Sequence, residues 1–180
     1  MGKAKKPKQV KLVVGILAKD KKLFDIVEEF LTDKFGEIDY RSPVIDFTYS
    51  DYYKKEMGEP LKKRFISFKK LISPEALPKI KTLTNSLENK FSQKDNSELK
   101  RRVNLDPGYI SDSKFVLATT KDYSHRLYLS KGIYAEITLT WRKGGFQPLD
   151  WTYPDYRTKD YINTLSTIRN ALTSQNCNAL

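Results

Sequence analysis

Residues 101–142 read RRVNLDPGYISDSKFVLATTKDYSHRLYLSKGIYAEITLTWR and hold the chain's one histidine, His125. Two runs with strand-like alternation flank Ser130-Lys131-Gly132. A two-residue loop there would set Leu127 against Glu136 and mix apolar with charged groups on one face. A three-residue loop with Gly132 in the left-handed region removes that conflict, because glycine takes positive φ without strain. This register pairs Leu129 with Ile133, Leu127 with Ala135 and His125 with Ile137 on an apolar core face, continued by Leu139 and Trp141. The opposite face pairs Tyr128 with Tyr134 and Arg126 with Glu136, and carries Thr138, Thr140 and Arg142. That polar face is the first candidate binding surface. The alternative is a solvated sheet face with an ordinary cross-strand ion pair.

Outward from the hairpin, the chain alternates strand and helix. Lys11–Ala18 (KLVVGILA) is short and apolar on both faces, as a central strand is, and Gly15 in its middle either weakens it or lets another backbone approach closely. Asp20 is placed to cap a helix that runs to Phe35 and stops at Gly36; Leu23, Val27, Phe30 and Leu31 recur at helical spacing. Residues 38–49 read as an extended segment interrupted at Ser42-Pro43, and Ser50 and Gly58 bracket one or two helical turns. Residues 63–71 form the next strand. Ser73-Pro74 starts a helix striped by Leu77, Ile80, Leu83, Leu87 and Phe91, which ends in the polar stretch SQKDNSE. A strand over 101–105 completes a βαββαβ unit. The expected fold is therefore α+β: a largely antiparallel sheet with helices packed on one face, a ferredoxin-like core extended by a C-terminal hairpin and helix. That last helix starts near Thr158 and is striped by Tyr161, Leu165, Ile168 and Leu172.

Composition bounds the function. Of the 180 residues 39% are hydrophobic, enough for a core, and the net charge is +11. Five lysines and no acid lie in MGKAKKPKQVK, and removing them from +11 leaves +6. Residues 1–9 are accordingly expected to be a disordered basic arm and residues 10–180 a single domain. A single cysteine, Cys177, excludes an intrachain disulfide and fits a reducing compartment. No apolar run has membrane-spanning length and no signal-peptide pattern is present, so a soluble cytoplasmic protein is expected.

The runs YYKKEMG (52–58), RRVNLDPGY (101–109), LATTKDYSHRLYLSKGI (117–133) and TYPDYR (152–157) resemble the motifs of one prokaryotic family, domain-of-unknown-function family 4416. The resemblance covers nearly the whole chain after the basic arm. It implies kinship and a fold, and it brings no activity and no catalytic residues. Some relatives carry a loose GTP-binding label, which has a physical requirement. A P-loop needs GxxxxGK[ST] so that backbone N–H groups face the phosphates, and no such run exists here. Thr120-Lys121-Asp122 lacks the residue that separates Lys from Asp in a guanine-reading signature.

The remaining polar residues suggest three function classes. The first is a binding site for a phosphate-bearing small ligand or nucleotide, using Arg102, Asn104, Asp106, Lys121, Arg126 and Glu136. Arginine's planar fork matches phosphate, and the carboxylates would orient it or hold Mg²⁺. The second is a metal-assisted enzyme, with His125, Asp106 and Glu136 as catalytic candidates and Asp106, Glu136 and Asp155 as oxygen ligands. The third is an interaction protein, a homo-oligomer or RNA-binding module, whose Tyr52-Tyr53 pair and Trp151, Tyr153 and Tyr156 loop would stack on bases or a partner. Asp106-Pro107-Gly108 also has a purely structural reading as turn chemistry.

Overall fold

The computed structural model describes residues 2–95 and 98–177. Met1 of the basic arm, two residues of SQKDNSE and the last three residues of the expected domain lie outside them. Residues 2–9 carry no helix or strand, and Lys8 lies 3.3 Å from Asp112.

Strand β1 (Lys11–Ala18) is buried along its whole length. Helix α1 (Lys21–Phe35) follows; the Asp20 carboxylate accepts from the Lys22 N–H, and Gly36 ends the helix at φ 91°. Then come β2 (Ile38–Arg41) and β3 (Ile45–Phe47), parted at Ser42-Pro43, and a short helix α2 (Lys54–Met57) that stops at Gly58. Strand β4 (Leu61–Phe68) leads to α3 (Leu77–Phe91), and β5 (Gln93–Asp95) pairs with β6 (Glu98–Lys100) as a separate two-stranded ribbon. Strands β7 (Val103–Ile110), β8 (Lys114–Thr119), β9 (Arg126–Ser130), β10 (Ile133–Arg142) and β11 (Gly145–Pro148) precede α4 (Lys159–Cys177).

Nine strands form one antiparallel sheet in the order β11-β10-β8-β7-β1-β4-β2, with β3 added to β4 and β9 to β10. Each of α1 and α3 bridges two strands separated by one other, so two βαβ units interleave around β1. Both helices cover the same face. Leu23, Phe24, Val27 and Leu31 of α1 and Ile80 and Leu87 of α3 pack on Leu12, Val14, Ile16 and Ala18 of β1. The C-terminal helix takes the opposite face, where Tyr161, Leu165, Ile168 and Leu172 pack against Val13, Phe65, Phe115 and Leu139. Burying such side chains contributes roughly 2 kcal/mol each before entropy is charged against it.

Three expectations need correction. The hairpin pairs Leu127 with Ala135 and Arg126 with Glu136 as expected, but its turn is shorter. Lys131 and Gly132 both take positive φ, Ser130 pairs with Ile133, and an irregularity beside Leu129 absorbs the extra residue. The second correction concerns its faces: Ile133 stays buried against Leu77, Val116 and Ala118, but the charged pair on the other side is buried as well. Leu127 is 73% exposed, whereas Arg126 and Glu136 are buried at 7% and 2%. The cause is a bulge between Ile137 and Leu139, which puts Glu136 on the same side as Leu139 instead of opposite it. The Ile137 carbonyl accepts from the Trp151 indole N–H and the Thr138 carbonyl from the Thr152 hydroxyl, so the aromatic loop docks at the bulge. Third, Asp106-Pro107-Gly108 is not a turn: it lies inside β7, paired to Val13–Gly15 of β1.

Candidate functional site

The Asp-Pro-Gly run builds the site because it stops a strand ladder. Strand β8 pairs with β7 only at Gly108–Ile110. An added Cβ on Gly108 would stand 2.4 Å from the Val116 carbonyl oxygen, so glycine permits that close pairing. Two residues before Pro107, Leu105 turns its N–H and C=O to the β8 side, and period-two alternation points the backbone of residue 107 the same way. Proline has no N–H to continue the ladder, and the strands part. Side chains of α3 replace the missing strand: Glu88 accepts the Leu105 N–H at 2.7 Å and Lys81 donates to the Leu105 carbonyl at 2.8 Å.

Between the parted strands lies a cavity of about 690 Å³. One wall is a polar chain. Arg101 donates two bonds to Glu56 at 2.7 and 2.6 Å and one to Asn104 at 3.1 Å, and Asn104 donates to Asp106 at 2.9 Å. Asp106 also accepts Lys63 Nζ at 2.5 Å. Lys63 belongs to β4 and reaches across β1 to do so. It passes over Gly15, where a Cβ would stand 2.9 Å from Lys63 Cε. Deeper in, Asp155 and Tyr156 line the cavity, and the Tyr156 hydroxyl has no hydrogen-bond partner. Arg157 donates to the carbonyls of Leu149, Asp150 and Thr152 and so fixes the loop that carries both residues.

Electrostatics separate the two aspartates. Burial opposes ionisation of Asp106, but the ammonium groups of Lys63 and Lys81 and the bonds from Lys63 and Asn104 outweigh it and hold the carboxyl below its usual range. Burial lifts Asp155 above the usual carboxylate range; Lys63 offsets this in part and the charge on Asp106 adds to it. Burial likewise raises Glu88, against the pull of Lys81. Burial, reinforced by Asp106 and Asp155, keeps the Tyr156 hydroxyl protonated far above neutral pH.

The rim is built on the hairpin. Arg126 donates through Nε to Glu136 at 2.8 Å, to the Lys121 carbonyl at 3.1 Å and to the Tyr153 hydroxyl at 2.8 Å. Lys121 reaches over the Tyr52 ring, 4.5 Å from its centroid. His125 lies 3.1 Å from the same Glu136 oxygen and stacks between Tyr123 and Trp151.

Asn104, Asp106, Lys121, Arg126, Glu136 and Asp155 thus line one cavity, while Arg102 and His125 are not among its lining residues. Arg101 takes the place expected of Arg102, because regular alternation begins only at Val103 and the chain bends at Arg102. Among the described residues no group of three or more His, Cys, Asp or Glu side chains is arranged to hold a metal ion. Sequence reasoning missed Lys63, Lys81, Glu88 and Arg101. One signal was available: Lys81, Asn85, Glu88 and Asn89 repeat at helical spacing beside the apolar stripe of α3. Lys63 had none, since its partner lies two strands away.

No helix among the described residues is long and apolar enough to cross a membrane. A sequence model of the family described as "Domain of unknown function (DUF4416)" matches residues 8–172. No curated protein and no solved structure matches the chain.

Proposed function

The chain belongs to the DUF4416 family, and we propose that it binds a small phosphate-bearing ligand, such as a nucleotide, in the cleft between β7 and β8. The observation that carries this reading is the convergence of Asn104, Asp106, Lys121, Arg126 and Glu136 on one cavity of about 690 Å³, within the range typical of small-molecule sites. Lys121 is exposed at the rim and has no carboxylate partner among the described residues. Arg126 is held rigidly by three partners and keeps a terminal N–H for a phosphate oxygen, a geometry its planar fork suits. Tyr52, Tyr123 and Tyr153 stand exposed near the mouth and offer flat surfaces to a base or sugar. Magnesium would enter with the phosphates, since that ion keeps most of its waters and needs few protein oxygens.

Calorimetric titration with inorganic phosphate and with nucleoside mono- and triphosphates, with and without magnesium, tests the reading. Lys121→Ala touches an exposed side chain and leaves the fold intact; it should weaken binding about tenfold, the loss expected of one charge-assisted bond. Binding by none of these compounds, or full binding by Lys121→Ala, rejects the reading.

A further inference from the structure

We infer that the floor of the cavity is a second subsite, which takes a neutral oxygen acceptor, a carbonyl or hydroxyl, on the non-phosphate end of the same ligand. The inference rests on the phosphate reading for the rim and adds a recognition element at the opposite end.

The floor holds donors that the protein does not use. Lys63 is 2% exposed, and among the described residues it commits one of its three N–H groups, to Asp106. Tyr156 is 3% exposed and its hydroxyl has no partner at all. Leaving such a buried group unsatisfied costs about 1–3 kcal/mol; the Tyr161 hydroxyl and Arg64 Nε share that state, but of the three residues Tyr156 alone lines the cavity. The hydroxyl is not free to turn elsewhere, because the ring is wedged among Phe65 at 5.9 Å, Phe115 at 5.8 Å and Tyr161 at 5.4 Å between centroids. It is a fixed donor, and its raised pKa keeps it one across the whole physiological range.

Charge decides what kind of oxygen fits. Asp106 lies 2.5 Å from the Lys63 ammonium and already neutralises it, and Asp155 and Glu88 line the same space. A second anion at the floor would meet three carboxylates, whereas the rim sets Lys121 beside the Arg126–Glu136 pair; a carbonyl or hydroxyl would accept from Tyr156 and Lys63 without that repulsion. The volume agrees, since about 690 Å³ leaves room for a body well beyond the phosphate. The ligand class is therefore a phosphate ester whose body carries exposed neutral oxygens. Sugar phosphates and nucleotides with a keto base share that chemistry.

The test compares wild type, Tyr156→Phe and Lys121→Ala in calorimetric titrations. The probes are inorganic phosphate, glucose 6-phosphate, uridine 5′-monophosphate, free glucose and free uridine. Tyr156→Phe removes one oxygen and keeps the ring packing. It should leave inorganic phosphate unchanged and weaken the better-bound organic phosphate about tenfold, the value of one buried hydrogen bond. Lys121→Ala should weaken all three phosphates. Which organic phosphate responds tells sugar from base. Organic phosphates binding Tyr156→Phe as tightly as wild type overturns the floor subsite, and so does an equal loss for inorganic phosphate, which would place the phosphate there. If Lys121→Ala changes nothing while Tyr156→Phe still weakens uridine or glucose, the rim reading fails and the floor subsite stands. Wild type binding none of the five probes overturns both.

Discussion

Two lysines on the same face of the sheet have nearly the same chemistry and different consequences. Lys11 and Lys63 are 1% and 2% exposed, and each places its ammonium 2.5 Å from an aspartate, Asp39 or Asp106. Lys11 also donates to the Phe68 carbonyl at 3.2 Å and to the Gln175 side chain at 2.8 Å. All three of its N–H groups are taken, and together they join β1, β2, β4 and the end of α4. Lys63 makes one such bond and faces the cavity. A buried ion pair is therefore no sign of a site in itself. The sign is donor capacity that the protein does not use.

The contrast predicts unequal stability losses, and these are the largest effects expected. Lys11→Met removes three bonds at once, leaving Asp39 with the Ser67 hydroxyl and taking this donor from the Phe68 carbonyl and the Gln175 oxygen, and should cost about 3 kcal/mol. Lys63→Met leaves Asp106 open to the cavity, where Asn104 and solvent can reach it, and should cost only about 1 kcal/mol. Urea unfolding midpoints at equal m-values measure both. Equal losses would break the comparison.

A smaller effect lies in the pH dependence on either side of Lys63. The folded-state value of Asp106 is depressed, so its stability is present above the unfolded value and is lost as pH falls through the folded one. Asp155 is raised, so its contribution is full below the unfolded value and is lost as pH rises through the folded one. Asp155→Asn should therefore be more stable than wild type at neutral pH and lose that advantage on acidification. Asp106→Asn should show the opposite trend. Melting temperatures from acid to neutral pH decide it, and parallel curves for the two variants would refute the assignment.

The smallest effect is expected at Gly15. A methyl group there would lie 2.9 Å from Lys63 Cε and 3.2 Å from Nζ, contacts that the flexible side chain relieves by moving, and 3.2 Å from the edge of the buried Phe65 ring, which must give by a few tenths of an ångström. Gly15→Ala should cost no more than about 1 kcal/mol, the low end of overpacking. It should nevertheless weaken the best-bound organic phosphate about threefold by displacing the ammonium. A loss of several kcal/mol would show that Lys63 cannot move, and its spare donors would then need another account.

Elements whose signals are local were legible in the sequence. Asp20 and Gly36 bound α1 as capping chemistry requires, and the stripe Tyr161, Leu165, Ile168 and Leu172 is the buried face of α4. The pairing of Arg126 with Glu136 was legible for the same reason, since a hairpin joins neighbours in the chain. Its burial was not. Alternation says which residues share a face but not which face meets the core; here both do in part, and one bulge at Thr138 puts Glu136 on the side of Leu139.

The sequence by itself determined the order of the main strands and helices, the family, and about half of the charged and amide residues that line the cleft. Only the tertiary structure decided that these residues meet in a cavity and that Lys63 and α3 complete it. The physical reason is range. Periodicity and capping act within a few residues, and one chain carries them openly. The Asp-Pro-Gly run has the composition of a turn, and it becomes the end of a ladder only because β1 on one side and β8 on the other hold it extended.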